Sequence, residues 1–347
     1  MGQRLESAWI QYIFDNINLT MFKLLRHKIV KEIKYFAKKR GYIISKMPKP
    51  LGSQIKGLEF TNLNFGFYFD TTDYSYVTLF LCHEGGIFSC FTIAMWLTIT
   101  LQLRGLQVSK IDNTYSMNKF KNNKYTDTYS DLFEFSSINE TPPLPDLKSN
   151  PLKAQPHCIG LNHDYHEIIY NTLGIEWLGH FLNKYMKPCE AIKKEIEYFD
   201  SKYEISRKDT IFVCYRGTDK YKEVEPTSIS KYFEVTDKII QESNEKWQIL
   251  IQTDQAQIRH QFISKYRDKC IFISELPVTK TDIAIHHQDG LISDKNDFSK
   301  KLIAAVMLSA RSKILLTNSG NLGFFLAAYI SLAGKDFIQI DKDLEKK

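Results

Sequence analysis

The feature that most constrains the fold is a regular alternation of apolar runs and helical segments from residue 205 to the C-terminus. Runs such as TIFVCY, WQILIQ and KILL are each followed by a polar turn and then by roughly ten to sixteen residues of helical character. Parallel strands need a crossover connection of this length, and the crossover is nearly always right-handed. The pattern therefore predicts a parallel sheet covered by helices, the α/β class.

A second unit of the same kind lies in the first half of the chain. YVTLFLC (residues 76–82) is typical of a buried strand, HEGGIFS is a turn with two glycines, and a long apolar helix pattern then leads to the strand-like LQVSKI. We therefore predict an N-terminal α/β domain over 51–204 and a C-terminal α/β domain over 205–347. Residues 1–50 are predicted to form a separate basic helical segment.

The positive charge is concentrated in that first segment. The net charge is +6, yet residues 1–50 hold eleven Lys and Arg against three Asp and Glu. Apolar residues of 20–40 recur at helical spacing, with lysines on the other faces. Such a helix packs on its own domain or makes peripheral contact with an anionic membrane. We expect no nucleic-acid partner, because no aromatic residues interleave with these cations across a sheet.

The cysteine pattern and the hydropathy of the sequence indicate the cellular compartment of the protein. The six cysteines are scattered, without the spacing of a zinc site or a disulfide framework. The sequence shows no signal-peptide pattern and no uninterrupted apolar stretch long enough to span a bilayer. We expect a cytoplasmic protein, with the inner face of a membrane as the alternative location.

Three polar loops follow strands of the predicted C-terminal sheet. They are residues 216–220 (RGTDK), 253–255 (TDQ) and 317–321 (TNSGN). The carboxyl ends of parallel strands share one edge of the sheet, where ligands bind. Arg can hold a diphosphate through two hydrogen bonds, and small residues at a helix start let backbone N–H groups approach phosphate. The alternative is structural: an Arg–Asp pair in a turn, and Ser and Asn as ordinary helix caps.

The glycine turn of the first half raises the same two alternatives. Gly85 and Gly86 either let a ligand approach the backbone or form a tight structural turn. If the two halves face each other across a cleft, this turn, with His83 and Glu84, lies opposite Arg216. A nucleotide sugar is then a suitable occupant of the cleft.

The motifs YRGTDK, IQTDQ and LLTNSGNLGFF together resemble those of the fucosyltransferase superfamily with the GT-B fold. The resemblance is closest to α-1,6-fucosyltransferases and rhizobial nodulation fucosyltransferases, with kinship to α-1,2- and protein O-fucosyltransferases. It covers about 76–106 and 205–340. It implies two facing Rossmann-like domains with parallel sheets, and inverting transfer of fucose from GDP-fucose to a hydroxyl of a glycan or lipid-linked glycan, presented by the first domain.

The resemblance also implies roles for individual residues. Arg216 would neutralise the β-phosphate and stabilise the leaving GDP, and Asp254 would contact the nucleobase. In the family, a glutamate near this motif acts as the general base that activates the acceptor hydroxyl. Val224 occupies that position here, and Glu223 and Glu225 flank it. The implied catalytic residues are Arg216, Lys220, Glu223 and Glu225. The implied donor-binding residues are Gly85, Gly86, Arg216, Thr218, Asp219, Asp254, Ser319, Gly320 and Asn321. Two positions depart from the family pattern: Cys214 replaces a common histidine, and Gly217 replaces a second arginine.

Several expectations complete the hypothesis. No DxD motif stands in a plausible catalytic loop, so we expect neither a metal nor another cofactor, with Arg and helix N-termini carrying the phosphate charge. Residues 286–289 (HHQD) form either a solvated loop or one whose histidine contacts nucleotide or sugar. The alternatives to a fucosyltransferase are a GT-B transferase for another nucleotide sugar and a non-catalytic protein that binds glycan or nucleotide.

Overall fold

A computed structural model describes the main α/β body of the chain. The described residues are 67–73, 76–81, 85–102, 107–134, 178–179, 181–218, 227–288, 290–318, 320–341 and 344–345. The predicted basic segment 1–50, with its helix over 20–40, lies outside them. Among the helices described, none is long and apolar enough to cross a membrane.

The C-terminal sheet contains six strands. They are β6 (Thr210–Tyr215), β7 (Gln248–Thr253), β8 (Cys270–Ile271), β9 (Ile314–Thr317), β10 (Asp336–Gln339) and β11 (Leu344–Glu345). Strands β6 to β10 are mutually parallel, and β11 pairs antiparallel with β10. Every residue of β6 is buried, as expected for a central parallel strand covered on both faces. The predicted α/β class with a parallel sheet is confirmed.

The order of these strands creates a crevice at a defined place. The sheet runs β11-β10-β9-β6-β7-β8, so the chain starts at β6, moves outward to β8, and then returns to the other side of β6 with β9. This is the order of a Rossmann-like sheet, in which the connections diverge between the first and fourth strands. The carboxyl ends of β6 and β9 therefore flank the topological switch point, where open α/β sheets bind their ligands.

Two of the four helices of this half begin at a capping side chain. The helices are α3 (Ile229–Gln241), α4 (Ala256–Tyr266), α5 (Lys295–Leu308) and α6 (Asn321–Leu332). The Ser228 hydroxyl accepts a hydrogen bond from the backbone N–H of Ser230, and Asp294 accepts one from Asp297. These side chains satisfy N–H groups that a helix start leaves unpaired. Gly320, at the start of α6, offers no such side chain.

The first half contains the predicted strand–helix–strand unit and additional strands. Its elements are β1 (Phe67–Asp73), β2 (Tyr76–Leu81), α1 (Ile87–Gln102) and β3 (Gln107–Asp112), followed by two short strands that pair antiparallel with each other, β4 (Phe133–Glu134) and β5 (Lys187–Pro188). Strands β2 and β3 are parallel and joined through α1, whereas β1 pairs antiparallel with β2. The antiparallel strand was not predicted, because the Phe- and Tyr-rich segment before residue 76 has no clear alternation.

The segment that follows β3, which is rich in Asn, Lys and Tyr, is compact. Lys121 is 1% exposed, and its ammonium group donates hydrogen bonds to the carbonyls of Asn113, Thr114 and Thr126. The Asn113 side chain in turn accepts from the Thr128 backbone N–H at 2.7 Å. Polar side chains thus satisfy the backbone of residues 113–128 without regular strands or long helices.

The two halves share one hydrophobic core. Rings of α1 and α6 meet directly: Phe325 lies 5.9 Å from Phe88 and 6.0 Å from Phe91 between ring centroids. Helix α2 (Glu190–Tyr203), which precedes the proposed boundary near 205, packs on α5 of the second half. Both halves contribute to the same buried cluster, and the division at 205 stays a prediction.

The third strand of the second half is shorter than predicted. The sequence CIFIS predicts a strand over 270–274, but only Cys270–Ile271 pair with β7. Beyond them, the Ser274 backbone N–H donates to the Tyr203 hydroxyl at 2.9 Å. The chain therefore leaves the sheet because side chains of α2 provide other partners for its backbone.

Candidate functional site

A cleft lies at the carboxyl ends of β6 and β7 and is lined by residues of both halves. Gly86 and Phe120 contribute from the first half, and Arg216, Asp254 and His286 contribute from the second. The lining combines many apolar side chains with a few polar groups at the strand ends, which is the usual composition of a small-molecule site.

Asp254 joins the loops that follow the two central strands. One carboxylate oxygen accepts the Gly217 backbone N–H at 3.4 Å, and the other accepts the Thr218 hydroxyl at 2.7 Å. Thr218 is fully buried. A hydrogen bond to an ionised carboxylate is stronger than one between neutral groups. The loop after β6 is thus fixed to the end of β7, and Arg216 is held at the cleft.

Gly217 packs closely against two side chains. A Cβ atom at this position would lie 2.0 Å from Gln255 Oε1 and 2.9 Å from Tyr215 Cε1. The second arginine of the family pattern would therefore fit here only if the Gln255 and Tyr215 side chains moved.

The loop after β9 is also shaped around glycines. Gly320 has φ 128° and ψ 172°, a region that essentially only glycine occupies. A Cβ atom on Gly323 would lie 1.8 Å from the Asn318 carbonyl oxygen. The first turn of α6 therefore packs directly on the loop backbone, and its second residue, Leu322, lines the cleft. Gly323 is not among the predicted site residues, although LTNSGNLGFF places it two positions into α6.

Two side chains at the end of β6 are kept neutral by their surroundings. Burial raises the pKa of the Cys214 thiol to about 12, and the negative charge of Asp254 adds to this effect. Burial, with the same carboxylate, also raises the pKa of Tyr215. Cys214 is therefore a protonated thiol at neutral pH and not a nucleophile. It also cannot supply the charge of the histidine that it replaces.

The histidine loop reaches the cleft with one of its two histidines. His286 lines the cleft, and its ring lies 5.0 Å from that of Phe120. His287 is exposed, and its Nε2 atom lies 3.1 Å from the Lys119 ammonium group. The loop is thus solvated at His287 and half-buried against the cleft wall at His286. Whether His286 contacts a ligand stays a prediction.

The predicted site residues fall into two groups. Gly86, Arg216 and Asp254 line the cleft, and Thr218 binds Asp254. Gly85 precedes the cleft residue Gly86, and Gly320 and Asn321 precede the cleft residue Leu322. The remaining candidates lie outside the described residues and stay predictions: His83, Glu84, Asp219, Lys220, Glu223, Glu225, Asp289 and Ser319.

The geometry gives Asp254 a different partner from the one expected. Both of its oxygens are used by the loop after β6, whereas the family resemblance implies contact with a nucleobase. Across the part of the chain that the structure describes, no group of three His, Cys, Asp or Glu side chains is placed to hold a metal ion. Metal independence stays a prediction.

Of three comparisons with known proteins, only the one with solved structures finds similar chains. No protein-family model and no curated protein sequence matches the chain. Among solved structures, NodZ α-1,6-fucosyltransferase co-crystallised with GDP has a TM-score of 0.44 at 13% identity, covering 77% of this chain and 95% of that chain. Fucosyltransferase NodZ from Bradyrhizobium has a TM-score of 0.45 at 12% identity, covering 80% and 100%.

A mutant of Arabidopsis thaliana FUT1 in complex with GDP is also similar to this chain. Its TM-score is 0.42 at 11% identity, covering 76% of this chain and 70% of that chain. The two NodZ structures are described as fucosyltransferases. Likeness at this level does not assign a reaction, so the function proposed below depends on the cleft residues and the motifs YRGTDK, IQTDQ and LLTNSGNLGFF.

Proposed function

We propose that this chain is a GT-B glycosyltransferase that binds a nucleoside-diphosphate sugar in the cleft and transfers the sugar to a hydroxyl group. The observation that carries this proposal is the position of Arg216. It lies at the topological switch point of a Rossmann-like sheet, on a loop that Asp254 fixes. This is where phosphate-bearing ligands bind in open α/β sheets.

In the proposed mechanism, the protein stabilises the departing nucleoside diphosphate. The Arg216 guanidinium group pairs with diphosphate oxygens through two hydrogen bonds. The first N–H groups of α6 add the positive end of a helix dipole. Lys220 adds a second positive charge. These groups balance the charge that develops on the leaving group, and no metal is needed for that step.

The acceptor side of the reaction needs a base. Glu223 or Glu225 takes the proton of the acceptor hydroxyl as that oxygen attacks the anomeric carbon, with inversion. The motifs favour GDP-fucose as the donor and a glycan or lipid-linked glycan as the acceptor. Peripheral contact of residues 20–40 with the inner face of a membrane would bring the enzyme to a lipid-linked acceptor.

A different nucleotide sugar is the second candidate donor. It is favoured by Cys214, which is a neutral buried thiol where the resembling enzymes commonly have a histidine. The family resemblance therefore supports a diphosphate donor more strongly than it supports fucose.

A donor-hydrolysis assay separates a transferase from a binding protein. The full chain is incubated with GDP-fucose, GDP-mannose and UDP-glucose without an acceptor, and released nucleoside diphosphate is measured. We expect slow release from one donor, lost in Arg216→Ala and retained in Arg207→Ala, an exposed arginine before β6. Equal release from wild type and Arg216→Ala would contradict the proposal. Binding of a donor with no release would favour the non-catalytic alternative.

A further inference from the structure

Gln252 places an amide group in the cleft, next to the phosphate-binding edge. It is the fifth residue of β7, two positions before Asp254, and pairs in register with Cys214 on β6. Side chains at alternate positions of a strand share a face, so Gln252 is on the same face as Leu250. Gln252 lines the cleft and is not fully buried.

The amide oxygen of Gln252 is buried without a hydrogen-bond partner among the described residues. Few buried polar atoms in folded proteins are left unpaired, and those that remain call for an explanation such as a ligand or water. Much of the cleft lining is apolar and cannot donate a hydrogen bond to this oxygen. The apolar residues include Phe212, Leu276, Leu302 and Val306. A ligand that donates a hydrogen bond would satisfy this oxygen.

Two other polar side chains of the cleft already have partners in the protein. Both oxygens of Asp254 bind the loop after β6, and the Thr253 hydroxyl accepts the Gln255 backbone N–H at 3.2 Å. Gln252 differs from them, because its buried amide oxygen has no partner among the described residues.

We infer that Gln252 is the residue that reads the nucleobase of the donor. An amide presents one acceptor and one donor side by side, which matches a base edge that carries an N–H next to an acceptor, such as N1–H and O6 of guanine. The apolar lining around it suits the faces of a flat ring. The inference rests on the proposed function, because it names the part of the nucleotide that this residue contacts.

The test compares ligands with and without a base. The full chain and its variants are titrated by calorimetry with GDP, UDP, ADP and inorganic pyrophosphate. We expect Gln252→Leu to weaken binding of the preferred nucleoside diphosphate on the order of tenfold, because the hydrogen bonds to the base are lost. Pyrophosphate binding should be unchanged within about twofold.

The same substitution should raise the thermal stability of the ligand-free protein, because an unpaired buried oxygen is replaced by an apolar group of similar size.

Two further variants sharpen the outcome. Gln248→Leu removes an amide from the same face of β7, but that amide binds the Tyr203 carbonyl at 2.9 Å, away from the cleft, so base preference should not change. Gln252→Glu offers two acceptors and should shift preference toward guanine, which presents N1–H and N2–H together.

If Gln252→Leu binds the preferred nucleotide with wild-type affinity, the inference is wrong and the proposed function stands. If wild type binds neither nucleotide nor pyrophosphate, the proposed function fails, and this inference with it.

Discussion

At the level of single residues, Asp254 fixes the loop after β6 to the end of β7, beside the cleft. Its two oxygens hold consecutive residues of the loop after β6, the backbone of Gly217 and the hydroxyl of Thr218. The carboxylate is therefore part of the framework that positions Arg216. A substitution that breaks this link should change both the stability of the protein and its affinity for diphosphate.

Replacing Thr218 by valine tests this link. Thr218→Val keeps the shape but removes the hydroxyl, leaving one oxygen of Asp254 without this partner. We expect the free energy of unfolding to fall by about 1–3 kcal/mol, measured by urea denaturation, with weaker binding of GDP. Thr218→Ser keeps the hydroxyl and should retain most of the stability. A valine variant as stable as wild type would show that the link does not hold the loop.

The sequence predicted some of these residues and missed others for physical reasons. Arg216, Thr218 and Asp254 are polar residues directly after apolar strands, so their position at the sheet edge follows from the strand pattern. Gln252 lies inside such a strand, where a single polar residue gives no sign of facing a cleft. The role of Asp254 as a link depends on the register of β6 against β7, which local patterns do not specify.

The start of α6 shows how an element is positioned by a glycine. Gly323→Ala would place a methyl group 1.8 Å from the Asn318 carbonyl oxygen, so α6 or the loop must move. Overpacking of this kind typically costs about 1–3 kcal/mol, and we expect a loss of that size in urea denaturation. Gly86→Ala is the control, because no atom lies within 4 Å of a Cβ there, and its stability should be unchanged. Equal stability of Gly323→Ala and wild type would contradict the observed packing.

Glu275 fixes the chain after β8 to α2. Its carboxylate accepts hydrogen bonds from three side chains of that helix, Tyr198, Lys202 and Tyr203. Burial raises the pKa of Glu275, but these bonds outweigh it and bring the pKa to about 2, below its ordinary value of 4.5. The ionised group therefore contributes its full stability above about pH 4.5, and this contribution is lost as the pH falls toward 2.

A pH series tests the contribution of Glu275. Glu275→Gln should lower the free energy of unfolding at pH 7, and the difference from wild type should shrink at pH 3, because the wild-type carboxylate begins to lose its advantage there. Urea denaturation at both pH values provides the measurement. Glu242→Gln, at the exposed end of α3, should show little difference at either pH. A difference that grows on acidification would contradict the assigned direction of the pKa shift.

At the scale of the whole molecule, a shared core connects the two sides of the cleft. Phe325 of α6 contacts two aromatic rings of α1 and is fully buried. Phe325→Ala should lower the free energy of unfolding by about 3–5 kcal/mol, through lost burial and a cavity. Leu332→Ala on the same helix is the control, because Leu332 is 43% exposed. A small effect of Phe325→Ala in urea denaturation would mean that the halves are not held by this contact.

The alternation of strands and helices was sufficient to predict the architecture of the second half but not its details. Each strand from β6 to β10 follows from a local apolar run. The order in which the strands pair depends on contacts between residues far apart in the chain, and so does the early end of β8, where Tyr203 of α2 binds the backbone of Ser274. The antiparallel β1 and the compact segment around Lys121 have partners nearby in the chain, but neither follows a regular alternation of apolar residues from which it could be predicted.

A calorimetric titration of wild type, Arg216→Ala and Arg207→Ala with GDP, GDP-fucose and UDP-glucose would show directly whether Arg216 holds the diphosphate of a nucleotide. One nucleoside diphosphate or its sugar should bind to wild type and to Arg207→Ala. Arg216→Ala should bind it at least about tenfold more weakly, because two charge-assisted hydrogen bonds are lost. Binding of equal strength to wild type and Arg216→Ala would show that Arg216 does not hold the diphosphate.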